Sequence, residues 1–92
     1  MERHMALYFF DIHDGTFRLD DVGVECKDLN AVRYEAKRVL PAIAKEILPE
    51  DGDHHTLTVR VRDERHETVY TATLMFSGFG TDPEKDEPRI AA

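Results

Sequence analysis

The sequence predicts an α+β domain in the order ββαββ. Its four-stranded, mainly antiparallel sheet carries one amphipathic, Pro-kinked helix on one face. Three observations predict this. Asp28–Leu48 holds the only sustained helical periodicity in the chain. The segments on either side alternate apolar and polar residues, as half-buried strands do. Asp-Gly and charged clusters divide those segments into pairs, as hairpins require. The domain is read as residues 6–76, followed by an acidic, Pro-containing tail over 77–92 that should be mobile.

Ala6–His13 (ALYFFDIH) is the clearest strand, aromatic-rich and alternating. Tyr8, Phe10 and Ile12 share one face; Leu7, Phe9, Asp11 and His13 share the other. Asp14-Gly15 supply a turn. Phe17–Asp21 reads as part turn and part strand. Val22–Cys26 is a short second strand, and Gly23 within it marks a bulge or a close approach of another chain segment.

Leu29, Val32, Ala36, Val39, Leu40, Ile43 and Ile47 then fall within an arc of about 100°, the stripe of a helix facing a core. Asp28 is placed to cap the first turn. Pro49 and Asp51-Gly52 stop the helix. Pro41 lies inside it, where a proline costs roughly 3 kcal/mol. The stripe nevertheless keeps its phase across Pro41, which predicts one bent helix rather than two. Tyr34 and Pro41 fall on the outer side. They read as a bend wrapping the sheet, or as part of a partner surface.

Thr56–Arg62 alternates cleanly, with Leu57, Val59 and Val61 inward. Asp63–Glu67 is a polar turn. Thr68–Phe76 is the last strand, with Tyr70, Ala72, Leu74 and Phe76 as its buried set. The second sheet face would then carry Leu7, Phe9, Val69 and Met75 among Asp11, Arg60, Thr71 and Thr73. That is too much apolar surface for a solvated face. A homodimer sharing this face, or the tail folding Phe79 back over it, would account for it.

Composition narrows the function. The net charge of −7 argues against non-specific nucleic-acid binding, which depends on neutralising phosphates. No apolar run approaches a membrane span, and no signal-peptide pattern opens the chain. A cytoplasmic protein is expected. The single cysteine, Cys26, rules out an internal disulfide and a multi-cysteine zinc site.

The run Tyr8–Phe10, Asp14-Gly15, Gly23–Glu25, Asp28-Leu29 and Ala31–Ala36 (YFF, DG, GVE, DL, AVRYEA) resembles a family of short bacterial proteins. That family is common in rhizobia and their relatives and is known only as a domain of unknown function. The resemblance covers about Leu7 to Phe76. It implies the fold and brings no assigned catalytic residue. A weaker similarity is to HicB-type antitoxins, which also place a hairpin before an amphipathic helix and further strands. This chain lacks their C-terminal DNA-binding segment.

Few groups invite chemistry. Asp11 and His13, two apart on a strand, share a face, and a carboxylate with an imidazole can hold a divalent cation. The same residues also suit a solvated hairpin rim. His54-His55 with Asp51 and Asp53 form a second polar cluster, read as a loop. Arg60, Arg62 and Arg65 make the only basic stripe, expected to pair with acids on neighbouring strands. Ser77 is in no nucleophile-elbow context, and neither a phosphate loop nor a dinucleotide fingerprint occurs. No catalytic residue and no cofactor are assigned. Two functions stand: a non-enzymatic, homodimeric interaction module using Leu7, Phe9, Tyr34, Pro41, Val69 or Met75, with a protein partner; or a small metal- or ligand-binding protein, conceivably a hydrolase, built on Asp11 and His13. Lack of a convergent acid–base–nucleophile set favours the first.

Overall fold

A computed structural model describes residues 5–50 and 52–80. Six elements follow one another: β1 (Ala6–His13), β2 (Phe17–Arg18), β3 (Val24–Cys26), α1 (Leu29–Ile47), β4 (His54–Arg62) and β5 (Thr68–Ser77). Every pairing is antiparallel. The sheet runs β2-β1-β4-β5, and β3 also pairs with β1. The expected α+β architecture is present, with its second strand broken in two. β2 meets the end of β1 at Ile12 and His13, while β3 meets its start at Ala6, Leu7 and Tyr8. Residues 19–23 leave the sheet between them. The predicted strand over Val22–Cys26 therefore begins only at Val24.

Register explains the core. Phe10 lies opposite Val61 and Ile12 opposite Val59; across the next pair Val59 lies opposite Ala72 and Leu57 opposite Leu74. Alternation puts all of these on one face. Phe10, Leu57, Val59 and Val61 are buried there beneath Val32, Ala36, Leu40 and Ala44 of the helix, with Cys26 beside them. Helix residues four apart make one continuous stripe; Val32, Ala36 and Leu40 are buried as expected, Ala44, outside the expected set, joins them, and Val39, Ile43 and Ile47 are half-buried.

Asp28 caps α1, its carboxylate accepting from the Ala31 N–H at 2.9 Å. The helix is unbroken through Pro41, which sits on its exposed side. Leu29 departs from the expected stripe: as the first helical residue it remains exposed. Leu74 and Phe76, expected to be buried, are 36% and 42% exposed. Among the described residues β5 ends the sheet, and no neighbouring strand flanks them. β4 starts two residues earlier than predicted and β5 ends one later, and the Gly78 N–H donates to the Asp53 carbonyl at 2.7 Å beyond them. His54 and His55 are thus strand residues. Phe79 meets the His54 ring edge-on at 5.5 Å rather than covering Leu7 and Phe9. The expected tail, apart from 77–80, lies outside the described residues, as does Asp51.

Candidate functional site

The polar cluster of the domain grows from the gap in the broken strand. Where β2 has stopped and β3 has not begun, the Phe10 N–H has no strand partner. It donates instead to the Asp20 carboxylate at 2.9 Å. The other Asp20 oxygen accepts from the Val22 and Gly23 N–H groups at 2.9 and 3.1 Å. One aspartate therefore holds the loop and replaces the missing ladder bond. The loop folds onto the sheet face away from the helix. Gly23 adopts a φ of +86°, and a Cβ there would stand 2.9 Å from Leu7 Cγ and 3.0 Å from Phe9 Cε1. Only glycine meets both demands.

Under this loop Asp11 is 1% exposed, although it lies on the face a sheet of this kind leaves to solvent. Its Oδ1 accepts from the Asp20 N–H at 2.9 Å and from Arg62 Nη2 at 3.0 Å; its Oδ2 accepts from Arg62 Nε at 2.7 Å. The guanidinium grips the carboxylate with two parallel bonds. Arg62 Nη2 also donates to the Asp20 carbonyl at 3.1 Å, and Nη1 lies 2.9 Å from His66 Nδ1. Its guanidinium carbon sits 5.1 Å from the centre of the Phe9 ring, which stacks on His66. His66 takes a φ of +67° in the β4–β5 turn, where the Asp63 carboxylate accepts from the Arg65 and Glu67 N–H groups.

The charges settle accordingly. Burial alone would push the Asp11 carboxyl up, but the Arg62 and Asp20 hydrogen bonds and the two nearby arginines outweigh it and hold the group below the usual carboxylate range. Asp20 behaves likewise: burial and the Asp11 charge oppose ionisation, and three backbone N–H groups prevail. Arg62 is pushed up by its bond to Asp11. Every buried side-chain polar atom described has a partner.

Asp11 and His13 share a face as predicted, yet their side chains are differently engaged. His13 is exposed and lies beside the Phe17 ring at 6.2 Å. It also borders an open groove of about 340 Å³, whose walls include Asp14, Ile47, His54 and His55. His55 is tied to the Gly52 carbonyl at 3.2 Å. Among the described residues, no three His, Cys, Asp or Glu side chains converge in a way that could hold a metal ion. The arginine stripe pairs with an acid: Arg62 closely with Asp11, Arg60 at 4.0 Å. Cys26 is buried, and burial together with Glu35 and Asp28 raises its thiol pKa.

The six residues expected to form an interaction surface lie in separate places. Leu7 and Phe9 are half-buried under Gly23. Val69 is the extra residue where the register shifts from Val61–Tyr70 to Arg62–Thr68, and it packs against the core. Tyr34 and Pro41 are exposed on the outer helix surface. Met75, 66% exposed, lies near the end of β5 between Leu74 and Phe76.

Sequence reasoning missed two features. Asp20, with Gly23 three residues on, was the available signal for a side-chain-capped turn. The other is the outer edge of β5. Thr68–Ser77 (TVYTATLMFS) contains no charged residue, glycine or proline, and among the described residues no strand pairs with its outer side. Edge strands usually carry charges, a proline or a bulge against unwanted pairing, and β5 has only the bulge at Val69.

These features define a small α+β domain that closes one side of its sheet with an internal ion-pair network and, among the described residues, leaves the other side unpaired. The chain belongs to the family described as Domain of unknown function (DUF6894), whose model matches residues 7–75. The match runs from β1 into the end of β5, so it includes the loop, the ion pair and most of the bare edge. No curated protein and no solved structure matches the chain.

Proposed function

We propose that this domain is a non-enzymatic interaction module that works as a homodimer in the cytoplasm. The observation that carries the reading is the apolar end of the sheet. Leu74 and Phe76 on the helix face and Met75 on the opposite face are all exposed, and among the described residues the strand that carries them has one open edge. Single exposed apolar residues are ordinary, whereas neighbours on one face, as Leu74 and Phe76 are at this open edge, mark an association site.

The polar cluster supports the same reading by the way its groups are engaged. Both Asp11 oxygens are held by Arg62 and the Asp20 backbone. A cation at the Asp11/His13 rim would have to displace the Arg62 guanidinium from Asp11. A second protein would meet the exposed outer helix surface at Tyr34 and Pro41. Light scattering over a concentration series tests the dimer. A mass of twice 10.6 kDa is the expected result. A mass of one chain at every concentration overturns the reading.

A further inference from the structure

We infer that two copies join edge to edge through β5, in antiparallel register about a two-fold axis at Thr73, making one continuous sheet across the dimer. This rests on the dimeric reading above and specifies its interface. Strand addition at an open edge supplies main-chain hydrogen bonds along its whole length. β5 is the long edge here, ten residues from Thr68 to Ser77.

Charge selects a second copy as the occupant. The chain carries a net charge of −7, so most of its surfaces repel one another. β5 has no charged side chain on either face, and pairing it with itself brings no like charges opposite each other. The other side of the sheet is finished by β2 and β3, two and three residues long, and by the Asp20 carboxylate. Very short edge strands resist pairing, so assembly stops at two copies.

The register follows from the bulge and from side-chain size. Val69 is the irregular residue, which leaves Tyr70 to Ser77 as the regular stretch; its middle falls between Thr73 and Leu74, and an axis on Leu74 would set Tyr70 against the partner's Gly78, beyond the strand. Helices on one side of the joined sheet require like faces to meet. Centring on Thr73 satisfies this, placing Leu74 against the partner's Ala72 and Phe76 against the partner's Tyr70. A large group meets a small one, and an aromatic meets an aromatic. On the other face Met75 meets the partner's Thr71, and Thr73 meets the partner's Thr73. Centring on Ala72 would instead set Met75 against the bulge.

Because residue 73 meets itself, charge there gives a self-checking test. Thr73 is exposed, and its hydroxyl pairs with Thr58 at 3.1 Å, so Thr73→Lys and Thr73→Glu should both keep the wild-type circular dichroism. At a concentration where wild type is dimeric, each variant alone should be monomeric, and an equimolar mixture should recover the dimer mass. A separate Thr73→Cys variant, treated with a short bis-maleimide, should give a covalent dimer that wild type does not give, since Cys26 is buried. Charged variants that stay dimeric, or a Thr73→Cys chain that does not cross-link, overturn the β5 interface while the dimeric reading stands. A mixture that stays monomeric overturns the Thr73 axis. A wild type that is monomeric, its edge left to another segment or another protein, overturns both.

Discussion

The two long sides of the sheet are finished in opposite ways. On the β1 side the chain returns as a broken strand, fills the gap with Asp20 and folds a loop over Leu7, Phe9 and Asp11. Backbone donors, a buried carboxylate and an arginine all find partners within one chain. On the β5 side a long uncharged strand ends the sheet among the described residues, with exposed apolar side chains. A domain of this size has little core to spare, and it concentrates polar organisation on one side only. The difference teaches that the closed side should answer to stability measurements and the open side to association measurements.

The largest break on the closed side should come from Arg62→Met. It keeps the aliphatic stem over Phe9 and removes the charge, leaving Asp11 buried without its partner. Breaking a buried pair from one side is worth about 3 kcal/mol or more, read as a lower urea midpoint at unchanged slope. The double variant Arg62→Met with Asp11→Leu should recover much of that loss, because no unpaired charge then remains. A single variant as stable as wild type would show that water reaches Asp11 and that this side is not closed.

Gly23→Ala comes next. It asks for a Cβ 2.9 Å from Leu7 Cγ and for a left-handed backbone at once. Together these should cost about 2 kcal/mol. Leu7→Ala in the same chain opens the space but leaves the backbone term, so a partial rescue separates the two causes.

Acid should act on the same side. Asp11 and Asp20 are held below the ordinary value of 3.8 in the folded state. As pH falls, the unfolded chain takes up these protons first, so stability rises with pH in that interval. The contribution is complete above 3.8 and is lost as pH drops through the lower folded values. Urea unfolding between about pH 6 and about pH 2 should show this loss, and Asp20→Asn should make the curve shallower. A curve equally steep in that variant would remove Asp20 from the account.

Legibility in the sequence followed the range of the interactions. Helix α1 was readable but for Leu29, its cap and its continuity across Pro41 included, because its periodicity and its N-cap are local. The inward set of β4 was readable for the same reason. The break between β2 and β3 was only half visible: Gly23 marked a close approach, but what it approaches is fixed by Leu7 and Phe9, far back in the chain. Asp11 was read beside His13 as a solvated rim or a cation ligand, since two residues on one strand share a face, and the arginine stripe was expected to meet acids on neighbouring strands without naming which. Its true partner, Arg62, is 51 residues away and comes within reach only through the β1–β4 register. Val69 was placed on the outer face by strict alternation, which a bulge defeats. The bareness of β5 could not be read from periodicity, because being an edge is a property of strand order.

The smallest expected effect sharpens the comparison most. Arg60 and Arg62 are two residues apart on β4, face the same way and approach the same carboxylate. Arg62 reaches Asp11 at 2.7 Å with its side chain 12% exposed; Arg60 stands at 4.0 Å and 48% exposed, over Phe17. If charge near Asp11 were what mattered, both substitutions would hurt. If closure by the loop is what matters, only the enclosed arginine does, because an exposed pair is weakened by water and by the entropy of holding a long side chain. Arg60→Ala should therefore cost less than about 1 kcal/mol in urea unfolding, and that cost should fall further in added salt. A loss equal to that of Arg62→Met would place the boundary of the closed region beyond Arg60, bringing Phe17 and His13 inside it.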